Sequence, residues 1–209
     1  MKEIYTYLND SMSKEFLKFP HIDFSFFDKI LKIAYDNTCY DYYIKNNSKL
    51  TINSSEELVD IMQVDSTIEA VFLYRLEREI FLQDKENIYL SYLARLMRNR
   101  TGCEIYYSTE IGKGFNIQHG FGIVIGPRFK IGDNFIVHQG VTLGQKNLNS
   151  PNERILIGNN VTIFAGATVL GNIEIGNNVQ IGANSVVLSN VESNSIYVGT
   201  PAKKIKMKL

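Results

Sequence analysis

The chain has 209 residues, 44% hydrophobic and 21% charged, and its 22 basic and 22 acidic residues cancel. A balanced charge argues against a protein whose main partner is nucleic acid or an anionic membrane. No apolar run reaches the ~18 residues needed to cross a bilayer. The opening MKEIYTYLNDSMSKEF lacks the apolar core of a secretory signal. Two cysteines, Cys39 and Cys103, make no disulfide framework. The expectation is a cytoplasmic protein with reduced thiols.

The chain changes character near Thr101–Gly102. All 15 glycines lie at or after Gly102, whereas nine of the 12 tyrosines and seven of the 12 phenylalanines lie before it. Glycine costs roughly 1 kcal/mol in a helix interior and is favoured in tight turns. Residues 1–101 are therefore expected to form an α-helical domain, and residues 102–209 a turn-rich one. In the first, Ser54 with Glu57 is a capping-box pattern, and Ser66 with Glu69 is another. Ile68, Phe72, Leu76 and Ile80 follow at four-residue spacing, which predicts one buried helical stripe. A further helix is expected through YLSYLARLMRNR, ending at Gly102, and another through HIDFSFFDKILKIAYDN. These helices specify no chemistry; they read as a cap or an oligomerisation domain.

The second half has a period of six. Ile157, Ile163, Val169, Ile175, Ile181 and Val187 recur at that spacing, and Ile155, Val161, Ala167, Ile173 and Val179 run two places ahead of them. The rhythm also holds over Ile105, Ile111 and Ile117, and over Ile125, Ile131, Val137 and Leu143. A six-residue period is the mark of a parallel β-helix, each hexad being a short strand and a corner. The rhythm breaks twice: by a step of eight from Ile117 to Ile125, and by a step of fourteen from Leu143 to Ile157, two more than two hexads. Insertions in a solenoid become loops on one face. A site is expected between QHGFG at 118–122 and GQKNLNSPNER at 144–154.

The stretch IGKGFNIQHGFGIVIGPRFKIGDNFIVHQGVTLGQ, with VLGNIEIGNNVQIGANSVVLSNV and VGTPAKKI after it, resembles the serine acetyltransferase branch of the hexapeptide-repeat acyltransferases. The resemblance spans roughly residues 60–207 and is densest from Glu104 onward. It implies a left-handed parallel β-helix, an exception to the right-handed crossover rule. The fold class is then α+β, helices followed by that β-helix. It also implies homotrimers packed side by side, which could pair as hexamers, active sites between neighbouring coils, and acetyl-CoA as donor.

The residues fit that chemistry in their own right. An alcohol is a poor nucleophile at neutral pH, and histidine is the base best matched to that pH. Of three histidines, His119 lies in the first break beside glycines, and it is either the general base or a structural histidine. The family's base matches His119, and its orienting acid lies fifteen places earlier, where this chain has Glu104 in place of the usual aspartate. A carboxylate there would fix the imidazole tautomer; the other reading is a solvated strand charge. His138 either packs or lines the substrate, and His21 is expected to have no role. By the same resemblance Gly144 lies near the thiol end of the donor. Ala165, Gly166, Gly182 and Ala183 offer small surfaces to the pantetheine arm, or are simply corner residues. Lys203 and Lys204, with Lys206 and Lys208, could meet the CoA phosphates or form a solvated tail. Backbone amides near the second break would stabilise the oxyanion. No cysteine lies in the expected site, so direct transfer is expected.

The acceptor side departs from the family pattern. Serine-specific members carry aspartate just before the base, where this chain has Gln118. Their Asp-Arg-His-Pro-Lys corresponds here to Asn152, Glu153, Arg154, Ile155 and Leu156, so the second active-site histidine is missing and Arg154 replaces the arginine one place off. Asp65 matches a further acceptor-binding aspartate. Serine needs a fixed anion and a fixed cation, and a neutral Gln118 better suits a sugar hydroxyl. The expectation is therefore an acetyl-CoA-dependent O-acetyltransferase acting on a carbohydrate, such as a surface polysaccharide or its precursor. The alternatives are serine O-acetylation and, from another class, a non-catalytic scaffold. A zinc carbonic anhydrase would need three converging histidines, and the repeat has two, so no metal is expected.

Overall fold

The computed structural model describes residues 1–18, 24–146 and 154–205. The expectations for His21, Asn152, Glu153, Lys206 and Lys208 lie outside these residues. Among the described residues five helices come first: α1 (Lys2–Glu15), α2 (Phe24–Lys45), α3 (Ser55–Val64), α4 (Ser66–Gln83) and α5 (Tyr89–Thr101). The cap of α3 forms as its sequence predicts. Ser54 Oγ accepts from the Glu57 N–H at 3.1 Å, and the Glu57 carboxylate accepts from the Asn53 N–H at 2.8 Å. The α4 cap falls one residue earlier than expected, on Asp65, whose Oδ1 accepts from the Thr67 N–H at 2.9 Å. Glu69 is drawn into the interior instead, accepting from the Tyr7 hydroxyl and the Arg100 guanidinium and tying α1, α4 and α5 together. Ile68, Phe72, Leu76 and Ile80 are buried, but so is every residue from Thr67 to Glu77. That helix is not amphipathic in its first turns because it is central, packed on α2, α3, α5 and the solenoid. α5 ends at Gly102, whose φ of +69° gives the left-handed C-cap. α2 continues past the expected stretch to Lys45, and α1 carried no signal strong enough to anticipate.

From Glu104 the chain coils through three faces of parallel strands, a left-handed β-helix. The first coil holds β1 (Glu104–Ile105), β2 (Glu110–Ile111) and β3 (Asn116–Gln118), and the second β4 (Val124–Ile125), β5 (Lys130–Ile131) and β6 (Ile136–His138). The third holds β7 (Thr142–Gly144), β8 (Ile155–Ile157) and β9 (Thr162–Ile163), and the fourth β10 (Thr168–Leu170), β11 (Ile173–Ile175) and β12 (Val179–Ile181). The last turn carries β13 (Val186–Val187) and β14 (Ser195–Gly199), and β15 (Ala202–Ile205) folds back antiparallel on β14. Sheet A is β1-β4-β7-β10-β13, sheet B is β2-β5-β8-β11, and sheet C is β3-β6-β9-β12-β14-β15. Every aliphatic residue of the six-residue series is buried. Each Ile, Val or Leu among them is worth about 1.5–3 kcal/mol over its exposed state.

The register locates both breaks. Glu104 pairs with Val124, two residues more than three hexads, so the first break adds two residues between sheets C and A. Val124 pairs with Thr142 but Lys130 pairs with Leu156. Leu143 and Ile157 therefore sit on adjacent faces, and the second break is one hexad plus eight inserted residues, not two hexads plus two.

The corner between sheets B and C carries an asparagine ladder. Asn134, Asn160, Asn178 and Asn194 have φ between 55° and 56°. Asparagine tolerates this left-handed region best after glycine. Each amide donates to the next, Asn134 to Asn160 at 2.9 Å, Asn160 to Asn178 at 3.0 Å and Asn178 to Asn194 at 2.8 Å. Asn160→Ala removes two rungs and leaves a β-carbon in a left-handed residue. It is expected to cost about 1–3 kcal/mol, measured by denaturant unfolding, with activity retained in the folded fraction.

One buried ion pair joins helices to solenoid. Asp41 of α2 is 1% exposed; its Oδ2 accepts from Arg75 Nε at 2.8 Å, and its Oδ1 from the N–H groups of Gly114 at 2.8 Å and Phe115 at 3.1 Å. Arg75 of α4 then donates to the carbonyls of Ile111 at 2.7 Å and Gly112 at 2.6 Å. Four backbone groups of the first coil are satisfied by two helical side chains. This fixes α4 against β3.

Candidate active site

The two-residue insertion makes a bulge at the edge between sheets C and A. His119 has φ +62° and Gly120 φ +51°, and the Phe121 N–H closes a tight turn onto the His119 carbonyl at 2.7 Å. A non-glycine residue in this region carries strain, and here it holds an imidazole outside the regular strand. His119 and Phe121 are exposed, Phe121 by 76%. One coil on, His138 pairs in register with Gln118. Its ring centroid is 6.4 Å from that of His119 and 5.0 Å from that of Phe164. Burial first, and the neighbouring His119 second, hold the His138 pKa below the usual imidazole value. His138 thus lines the site as a partly buried neutral ring.

Beneath the bulge the Cys103 thiol bonds to the Gly120 carbonyl, and the Glu104 N–H bonds to the Ile123 carbonyl at 2.8 Å. Glu104 therefore runs one hydrogen-bonded rung below the bulge, about 4.8 Å in coil spacing. Its carboxylate, expected to orient His119, is paired with the Arg98 guanidinium at 3.5 Å. Cys103 is buried, which pushes its thiol up and leaves it inert as a nucleophile.

The helical half reaches the same bulge. A β-carbon on Gly120 would come within 3.0 Å of Thr67 Cγ2, so the N-terminus of α4 abuts the residue after His119. Asp65 caps that helix, and its Oδ2 lies 3.2 Å from Lys45 Nζ, which also donates to Thr67 Oγ1. Burial opposes the Asp65 charge, but the hydrogen bonds from Thr67 and the charge of Lys45 outweigh it and its pKa lies below the usual carboxylate value. The structure thus places Asp65 two residues from the Thr67 that abuts the bulge and adds Lys45, which sequence reasoning missed. Its partner lies twenty residues away on another helix, and only the packing of α2 on α4 reveals it. Gln118 donates to Asn116 Oδ1 at 3.0 Å within its own strand.

The expected donor residues divide. Ala165-Gly166 and Ala183 stack beyond Gln139-Gly140 on the C–A edge, in line with His119. The Gly166 N–H bonds to the Gln139 carbonyl at 2.9 Å, and the Asn184 N–H to the Ala165 carbonyl at 2.9 Å. Two glycines there have packing reasons of their own. Gly166 has φ +70°, and a β-carbon on Gly182 would come within 2.6 Å of Val198 Cγ1. Gly144 and Arg154, which bracket the second insertion, lie at the A–B edge. Within one chain the whole width of sheet A separates them from His119, so the two breaks do not meet in a single subunit. In the β14–β15 hairpin the Lys204 ammonium is paired with Glu192, whereas Lys203 is exposed.

Comparison with known proteins agrees with the fold. The family model "Bacterial transferase hexapeptide (six repeats)" matches residues 154–189. A serine acetyltransferase of Staphylococcus aureus strain Mu50 is 39% identical over 153 residues, covering 73% of this chain and 71% of that protein. Among solved structures, serine acetyltransferase from Brucella abortus strain S19 in complex with coenzyme A aligns with a TM-score of 0.74 at 27% identity, over 86% of this chain and 71% of that one. The Neisseria gonorrhoeae serine acetyltransferase aligns with a TM-score of 0.71 at 27% identity, over 86% and 68%. At 39% identity over 73% of its length and 71% of the relative's, the chain belongs to the serine acetyltransferase family of hexapeptide-repeat transferases.

Proposed function

We propose that the chain transfers acetyl from acetyl-CoA to the hydroxyl of L-serine. His119 takes the hydroxyl proton as the oxygen attacks the thioester carbonyl. The tetrahedral intermediate collapses by breaking the C–S bond, and the imidazolium returns the proton to the departing CoA sulfur. Ala165, Gly166 and Ala183 lie along the edge that leads from His119, where a pantetheine arm would run, with Lys203 toward the phosphates. Gly144 and Arg154 would reach this site from a neighbouring subunit, in a trimer that sets the A–B edge of one chain against the C–A edge of the next.

The observation that carries serine over a sugar is the Asp65–Lys45 pair beside the bulge. It offers the fixed anion and fixed cation that a zwitterion needs and that Gln118 does not supply. The relatives' names point the same way. Gln118, neutral and bonded within its strand, favours the second reading, a carbohydrate hydroxyl. Lys45→Met separates the two. For serine, KM is expected to rise about tenfold or more, each tenfold being about 1.4 kcal/mol, with kcat little changed. An unchanged KM for serine would leave the pair a helix cap and favour the neutral acceptor.

A further inference from the structure

The Arg98 guanidinium stands between two carboxylates. Outward, Glu104 Oε1 is 3.5 Å away. Inward lies Glu77 of α4, 0% exposed, with neither carboxylate oxygen hydrogen-bonded. Burial drives the Glu77 carboxyl well above the usual range, only partly offset by the charge of Arg98. Glu77 is therefore held neutral, and Glu104 is the carboxylate left to pair with Arg98. The cleft between α5 and β1, about 190 Å³, is lined by Arg98 and Glu104 with Ser91, Met97, Tyr106 and Tyr107.

We infer that Arg98 is a positioning residue that holds the Glu104 carboxylate partly away from His119 and so sets how strongly that carboxylate acts on the base. Arg98 lies in the last turn of α5 and touches no reacting atom. Its effect passes through Glu104 alone. The inference rests on the reading of His119 as base and Glu104 as its orienting acid. The sign follows from charge. With Arg98 present, its cation offsets part of the Glu104 anion. Without it, the whole anion favours the protonated imidazole. The other groups around the bulge are His138 and Gln118 on sheet C, Cys103 below, and Lys45 with Asp65 at the end of α4. Around Glu104 they are Arg98, Tyr106 and Tyr107. Apart from Arg98 itself, none of these is altered in the variants below.

The test is the pH titration of the His119 C2–H signal by NMR, assigned with H119N, run beside the pH profile of kcat/KM. In Arg98→Gln the titration midpoint and the acid limb are both expected to move to higher pH by about half a unit or more. Arg98→Lys, which keeps the charge, should restore most of the difference. Glu104→Gln should move both to lower pH, and in that background Arg98→Gln should add nothing. If Glu104→Gln moves the midpoint but Arg98→Gln does not, the positioning role of Arg98 is refuted while the reading of Glu104 stands. If Glu104→Gln moves nothing, that reading falls and the inference with it. Arg98→Gln moving the midpoint equally in both backgrounds would also overturn it, since the effect would then bypass Glu104.

Discussion

His119→Asn should lower kcat/KM for acetyl transfer by about 10²–10⁴-fold, the usual worth of a positioned general base, with little change in melting temperature. Asparagine is the informative replacement. His119 has φ +62°, a conformation that asparagine adopts readily and alanine resists, so loss of the base is not confused with loss of the bulge. The side chain is exposed, so no core is disturbed. His138→Phe should retain activity within about tenfold, because His138 sits half-buried against Phe164 and is held neutral by its surroundings. Thiol release from acetyl-CoA measures both. Similar losses in the two variants would mean that the histidines act as a unit and that the base has been assigned to the wrong ring.

Arg75→Ala should cost about 3–5 kcal/mol, the largest stability loss expected of any single substitution outside the hydrophobic core. It strands the Asp41 carboxylate, 1% exposed, without its counter-charge. It also removes the donors to the Ile111 and Gly112 carbonyls at the seam between helices and solenoid. For a chain of this size that corresponds to a fall of roughly 10 °C in Tm. Asp41→Asn with Arg75→Ala should cost less than the sum of the two, because the stranded charge is gone. Additive costs would show that the two side chains act independently at the seam.

The solenoid was legible in the sequence because its physics is local. A hexad buries one aliphatic residue, turns a corner and repeats, so Ile157 through Val187 announce the fold without reference to any distant contact. The bulge was legible for the same reason, as a fault in the period that happens to hold a histidine. Long-range packing was not. The cap of α4 falls on Asp65 and not Ser66, and the same carboxylate is paired with Lys45 arriving from α2. Glu69 looked like half of a capping box and is a buried acceptor for Tyr7 and Arg100. The asparagine ladder was present as spaced asparagines, but its meaning needs the register that stacks 134 on 160 and 160 on 178. The preference for a sugar acceptor came chiefly from Gln118, with the altered 152–156 segment beside it. It weakens once Asp65 and Lys45 are seen to pair around Thr67, which abuts the bulge, a juxtaposition that no spacing in the chain foretells.

The most direct test of the account is the initial rate of CoA thiol release from acetyl-CoA by the purified chain, with L-serine compared against N-acetylserine, serine methyl ester and a sugar polyol. The account predicts saturable release with L-serine, an acetylated serine identified by mass, and strong loss when either the ammonium or the carboxylate is blocked. Release that is indifferent to L-serine, or faster with the polyol, would contradict it and return the acceptor to a neutral hydroxyl.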